Sequence, residues 1–158
     1  MNTNLNLETI AQRAAAECIR QHVGLDRVVT LLEAYEYVVR TGITRQTFEQ
    51  ADHEQTPARA LGMIEALAGV VEPDNGGHFR VTPVTFASGG TAAAAADVPR
   101  LVASLMTHGT DLTADEWVRE FLWIHPFADG NGRTAWILYT VFSGTLADPK
   151  PLPMFDFS

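Results

Sequence analysis

One stretch constrains this chain more than any other: His125-Pro126-Phe127-Ala128-Asp129-Gly130-Asn131-Gly132-Arg133, set between two apolar-periodic segments. Upstream, Thr113-Ala114-Asp115-Glu116 has the form of a capping box and launches a helix with Trp117, Phe121 and Ile124 on one stripe. Downstream, Trp136, Leu138, Tyr139, Val141 and Phe142 mark a second helix that ends near Gly144. The residues between must therefore form a tight bend. Gly130 and Gly132 lack side chains, so their amides can approach an anion closely and take positive φ. The unpaired amides and dipole of the following helix add a field that favours phosphate. Nests of this kind cradle polyphosphates in unrelated folds.

Each side chain of the stretch adds to that chemistry. Asn131 can donate from its amide to a phosphate oxygen, and Arg133 supplies a positive charge in fork geometry. Asp129 is the candidate magnesium ligand, because Mg²⁺ prefers one or two carboxylates completed by phosphates and waters. The same residue could instead cap the downstream helix. His125 is the one ring whose ordinary pKa, ~6.5, suits a general base near neutrality. Pro126 helps to end the first helix, and Phe127 pins the loop to the core.

The stretch resembles the HxFx[DE]GNGR signature of the Fic family (filamentation-induced-by-cAMP proteins), most of which transfer AMP from ATP to protein hydroxyls. The resemblance runs from the turn at Gly76 to Gly144. It implies an all-α, Fic-like helical bundle with a small β-hairpin flap over the active site. It implies His125 as general base, Asp129 as Mg²⁺ ligand, and Gly130, Asn131, Gly132 and Arg133 as the phosphate cradle. Gly77-His78-Phe79-Arg80 looks like the family's GxYR flap segment. By that likeness Val84, Thr85 and Phe86 would present the edge on which a target protein adds its backbone as a strand.

The pattern departs at Trp136, where the family signature has a second arginine that holds the γ-phosphate and pairs with an inhibitory glutamate. Three readings follow: Arg80, Arg100 or Arg119 compensates, the donor is a different nucleotide, or the site is degenerate. The family's [ST]xxxE[GN] inhibitory motif is absent from the sequence; an antitoxin as a separate chain remains a candidate partner. The related Doc toxins, which phosphorylate a translation factor, carry lysine where this chain has Gly132. That glycine favours nucleotidyl transfer from Mg-ATP over Doc-like γ-phosphate transfer. A non-catalytic nucleotide-binding module is the alternative from a different class.

The remainder reads as one domain spanning residues 1–158, with the motif core at about 76–144. Periodicity predicts a helix over 7–23 with Leu7, Ile10, Ala11, Ala14 and Cys18 inward. A second begins at an Asp26 N-cap and turns Val28, Val29, Leu32, Tyr35 and Val39 inward, closed by Gly42. A short helix is expected over 44–52, then one opened by Thr56-Pro57 with Leu61, Ile64 and Leu67 buried. His53, in the connection, reads as a surface histidine. His78 to Phe86 is β-branched and aromatic, stopped by Ser88-Gly89-Gly90, and Pro83 confines it to an edge. Residues 91–96 read as linker or helix start, Asp97-Val98-Pro99 opens a helix ending at His108-Gly109, and the proline-rich tail reads as an irregular arm. The net charge of −8 argues against a nucleic-acid or anionic-membrane surface. A lone cysteine, no basic-then-apolar leader and no long apolar run make a cytoplasmic location the expectation.

Overall fold

The computed structural model describes residues 5–47, 57–74 and 76–158. Six α-helices lie among them: α1 (Leu7–Arg20), α2 (Val28–Thr41), α3 (Pro57–Val71), α4 (Val98–His108), α5 (Ala114–Ile124) and α6 (Asn131–Ser143). Helix α2 packs on α1 and α3, α3 on α4 and α6, and α5 on α4 and α6. Helix α6 also touches α1 and α2. It is therefore enclosed on every side. Every residue from Arg133 to Leu138 is buried, which no amphipathic surface helix could show. The mostly helical architecture is the one the sequence implies.

Local chemistry explains the helix ends. Asn6 caps α1 by accepting from the Thr9 amide at 3.2 Å, and Gly42 closes α2 in the left-handed region at φ 67. Thr113 accepts from the Glu116 amide and donates its hydroxyl to the Glu116 carboxylate, the capping box expected for α5. Helix α4 starts with proline in its first turn after a 3-10 turn over Ala95–Asp97, and residues 149–158 form the irregular arm.

Some expectations are corrected. Asp26 does not cap α2: it lies within a 3-10 turn, Leu25–Arg27, and Arg27 occupies the cap position without a side-chain bond. Leu7 and Val29 are 76% and 61% exposed, and the inward face of α2 is Leu31, Ala34, Tyr35 and Val38. Residues 45–47 begin a helical turn; the remainder of the short helix expected there, His53 and Thr56 lie outside the described residues.

The flap is looser than a regular hairpin. Among the described residues it holds two isolated bridges, Thr85 with Thr91 and Phe79 with Phe127. The first closes the turn at Ser88-Gly89-Gly90, with Phe86 N–H donating to Gly90 and Ala92 N–H to Val84. The second joins the segment to the motif loop itself, and the Arg80 N–H donates to Pro126 at 2.9 Å. The Pro83 ring, without an amide donor, sits between the two short pairings and keeps them from merging into a ladder.

Arg80 makes this junction rigid. Its guanidinium is buried and donates to the carbonyls of Thr82, Ala93, Ile124 and His125, two of which end α5. A cation is favoured at a helix C-terminus. Each lost bond would strand a carbonyl that protein, not water, now satisfies. Arg80→Met should therefore cost about 3 kcal/mol or more of unfolding free energy. Urea denaturation measures it; an unchanged midpoint would mean that water serves those carbonyls equally well.

Candidate active site

The loop between α5 and α6 is shaped by two left-handed residues. His125, the C-cap of α5, has φ 51 and ψ 61, and Gly130, the N-cap of α6, has φ 82 and ψ 8. The first conformation is costly for a residue with a Cβ. The His125 N–H bonds to Phe121 at 2.9 Å, and Arg80 grips its carbonyl from the other side. Between these corners Phe127 is fully buried, stacked on Phe79 with ring centroids 5.5 Å apart. It is the anchor that the sequence suggested.

Asn131 has a different task from the one expected of its side chain. Its Oδ1 accepts from the Phe127 N–H at 2.9 Å and its Nδ2 donates to the Phe127 carbonyl at 2.8 Å. Oδ1 and one of the two Nδ2 hydrogens are used in locking the loop, and the backbone N–H of Asn131 lies in the uncapped first turn of α6. Gly130 provides no side-chain cap for α6, so the first-turn amides are left for a ligand. They open on a cleft of about 260 Å³ lined by Gln21, Val23, His125, Asp129 and the Gly130–Arg133 turn.

Asp129 does not cap α6. Its Oδ1 accepts from the Gly130 N–H at 2.7 Å and from Arg133 Nη2 at 3.2 Å, and among the described residues Oδ2 takes no hydrogen bond. With its side chain 48% exposed, one carboxylate oxygen faces water. That fits a magnesium ion, which takes one protein carboxylate and completes its shell with phosphates and waters. No group of three or more metal-ligating side chains occurs among the described residues.

Arg133 is held rather than free. It is 2% exposed, and its Nη1 contacts Oε2 of Glu72 at 3.1 Å. Glu72 follows α3, is wholly buried, and also takes Arg27 Nη1 on both oxygens, at 2.7 and 2.9 Å. Sequence reasoning missed Glu72, Arg27 and Gln21, since nothing near them in the chain marks them. Gln21 follows α1, where a left-handed turn at His22 (φ 58) brings the chain against the loop. A Cβ on Gly132 would meet Gln21 Oε1 at 2.3 Å, so any larger residue there would displace the Gln21 amide from the loop.

His125 is half-buried, and among the described residues its buried Nδ1 has no well-formed hydrogen bond, leaving Nε2 as the nitrogen for the cleft. Desolvation is the main cause that holds its pKa below 6.5; the Leu122 backbone opposes this, Arg80 reinforces it, and Asp129 opposes it. The ring is therefore neutral at pH 7, as a base must be. The flap ring of Phe86 meets it edge-on, with centroids 5.5 Å apart.

Of the arginines expected to compensate for Trp136, none does so here. Arg80 is occupied by backbone carbonyls, while Arg100 and Arg119 are half or more exposed and paired with Asp97 and Glu120. Trp136 itself is 1% exposed, packs on Tyr35 and donates Nε1–H to the Lys150 carbonyl at 3.0 Å. It faces the core.

The class this architecture defines is a mostly helical protein organised around one interhelical loop. The chain belongs to the Fic/DOC family, whose model matches residues 64–143. Among solved structures it is similar to a Fic family protein from Desulfovibrio desulfuricans G20, with a TM-score of 0.53 and 23% identity. That match covers 85% of this chain and 48% of the other, so the chain spans about half the length of that relative. No curated protein matches. No helix among the described residues is long and apolar enough to cross a membrane.

The burial of position 136 yields a prediction. Trp136→Arg, which would restore the family's arginine, should destabilise the fold by about 3–5 kcal/mol because the charge enters the core unpaired. Thermal unfolding measures it; wild-type stability would mean that the new side chain reaches the cleft.

Proposed function

We propose that this protein is a nucleotidyltransferase that moves AMP from Mg-ATP to a Ser, Thr or Tyr hydroxyl of a target protein. The observation that carries the reading is an imidazole in the same cleft as the uncapped start of α6. The amides of Gly130, Asn131 and Gly132, with Arg133 behind them, would bind the phosphates. Asp129 would hold the metal, which when bound neutralises phosphate charge. The target oxygen attacks the α-phosphorus, its proton passes to His125 Nε2, and the bond to the β-phosphate oxygen breaks to release pyrophosphate. Catalysis is then positioning and charge stabilisation.

Target docking fits the flap edge. Thr85 and Thr91 form a non-hydrogen-bonded pair, so the Thr85 N–H and C=O point away from the turn, ready for a strand of another chain. Val84 and Phe86 flank it, and Phe86 reaches the base. A second reading, nucleotide binding without transfer, is favoured by the buried Trp136, which leaves the site without the second arginine of the family signature.

Labelled ATP separates these readings. With a cell extract, transfer from the α position and not the γ position is expected, and His125→Ala should lower it by about a hundred-fold or more. Label passing only from γ would indicate a Doc-like kinase. Binding without transfer would indicate the module.

The pH dependence follows from the lowered imidazole pKa. A base must be unprotonated, so the acid limb of the rate should have its midpoint below the 6.5 of a free imidazole. A midpoint above 6.5 would mean that another group titrates.

A further inference from the structure

We propose that Arg27 is a second phosphate-binding cation of the loop site, parked on Glu72 until a nucleoside polyphosphate arrives. The inference rests on the nucleotide reading above. The starting observation is a charge balance. The carboxylates of Glu72 and Asp129 cancel the guanidinium groups of Arg27 and Arg133, so the four linked side chains present no net positive charge to an incoming polyanion. The whole chain carries −8, which worsens that deficit. Among the protein's own groups, the uncapped amides of α6 are then left to offset the phosphate charge that the metal does not.

The two arginines differ in what they are free to do. Arg133 is 2% exposed and bridges Glu72 to Asp129, so moving it would unfasten the loop. Arg27 is one-third exposed, and its two close contacts are both to Glu72; Asp26 lies further off at 3.8 Å. Both guanidinium groups touch the same oxygen, Glu72 Oε2, at 2.9 and 3.1 Å, so they lie side by side. Arg27 stands behind the cleft and not in its wall: Arg133, which shares the Glu72 oxygen with it, lines the cleft, as does Val23, joined to Arg27 through the short 3-10 turn Leu25–Arg27. Arg27 can therefore turn from Glu72 toward the outer phosphates while Arg133 keeps the carboxylate paired. Glu72 is the competitor that keeps an unliganded cation from being left without a partner. Charge-assisted bonds to phosphate from a planar, forked donor are the strongest this site could gain.

Glu72 makes the proposal separable from a structural role. The experiment is calorimetric titration of the purified full chain with Mg-ATP and, in parallel, with AMP. Arg27→Ala should weaken Mg-ATP about ten- to a hundred-fold and AMP less than about three-fold, because AMP lacks the outer phosphates. Arg27→Lys should recover part of the loss. Glu72→Gln should tighten Mg-ATP, since the charge that competes for Arg27 is gone while Asp129 still holds Arg133 in place. The decisive variant is Arg27→Ala with Glu72→Gln. If Arg27 acts on phosphate, the double variant stays weak relative to Glu72→Gln alone. If Arg27 only neutralises Glu72, the second change restores Mg-ATP binding and the proposal falls. Equal losses for Mg-ATP and AMP, or no loss, would also overturn it. A wild-type chain that binds neither nucleotide would remove the nucleotide reading and this one together, whereas wild-type binding unaffected by Arg27→Ala removes this one alone.

Discussion

Everything in this molecule that resembles a site depends on holding one histidine backbone in the left-handed region. His125 ends α5 at φ 51, a conformation that costs roughly 1–2 kcal/mol for a residue with a Cβ. An ordinary helix C-terminus would put glycine there. The offsetting contacts come from three directions: the N–H back to Phe121, the Arg80 grip on the carbonyl, and the Asn131 clamp on Phe127 two residues on. None is local to a single element. The loop is a product of the flap segment, α5 and α6 together, which explains why the flap bridges to Phe127 before it pairs with itself.

The electrostatics of the site follow a second constraint. A wholly buried carboxylate such as Glu72 is tolerated only when paired, and removing one partner of a buried pair costs far more than the pair contributes. Glu72 has two partners where one would suffice. The arrangement fastens the end of α3 to the start of α6 through Arg133 and to the start of α2 through Arg27. The same groups that would stabilise phosphate thus tie together three helices.

The sequence made the loop legible because its information is contiguous. The bend, the Phe127 anchor, the α5 capping box and the course of α6 all depend on residues within a few positions of one another. Two kinds of information were not local. The inward face of α2 was read only in part because that helix is apolar on two faces: Leu31, Ala34, Tyr35 and Val38 are buried in the core, Leu32 and Val39 pack against its edge, and Val29 is left exposed on a groove against Leu7 and Ala11 of α1. Periodicity cannot tell which apolar face is covered when both are present. Glu72, Arg27 and Gln21 reach the loop only through the packing of α1, α2 and α3, and in the sequence each is an ordinary polar residue beside a helix end. The loop-locking task of the Asn131 side chain was hidden for a related reason. A motif states which groups are present but not which of their bonds the backbone will claim.

The neutrality of His125 is likewise a tertiary property, and it depends on the chain's last described segment. Desolvation dominates the imidazole's shift, and part of the apolar cover is the Phe86 ring. Phe86 is in turn stacked on Phe157 at 4.9 Å, and Arg119 of α5 lies over the Phe157 ring at 5.6 Å. At the crossing, a Cβ on Gly90 would collide with the Phe157 carbonyl, so the glycine in the flap turn makes room for the arm. The flap is therefore held from both ends: Phe79 and Arg80 bind it to the loop, and the arm presses its turn toward the ring. A flap with so few ladder bonds of its own gains its position from these neighbours.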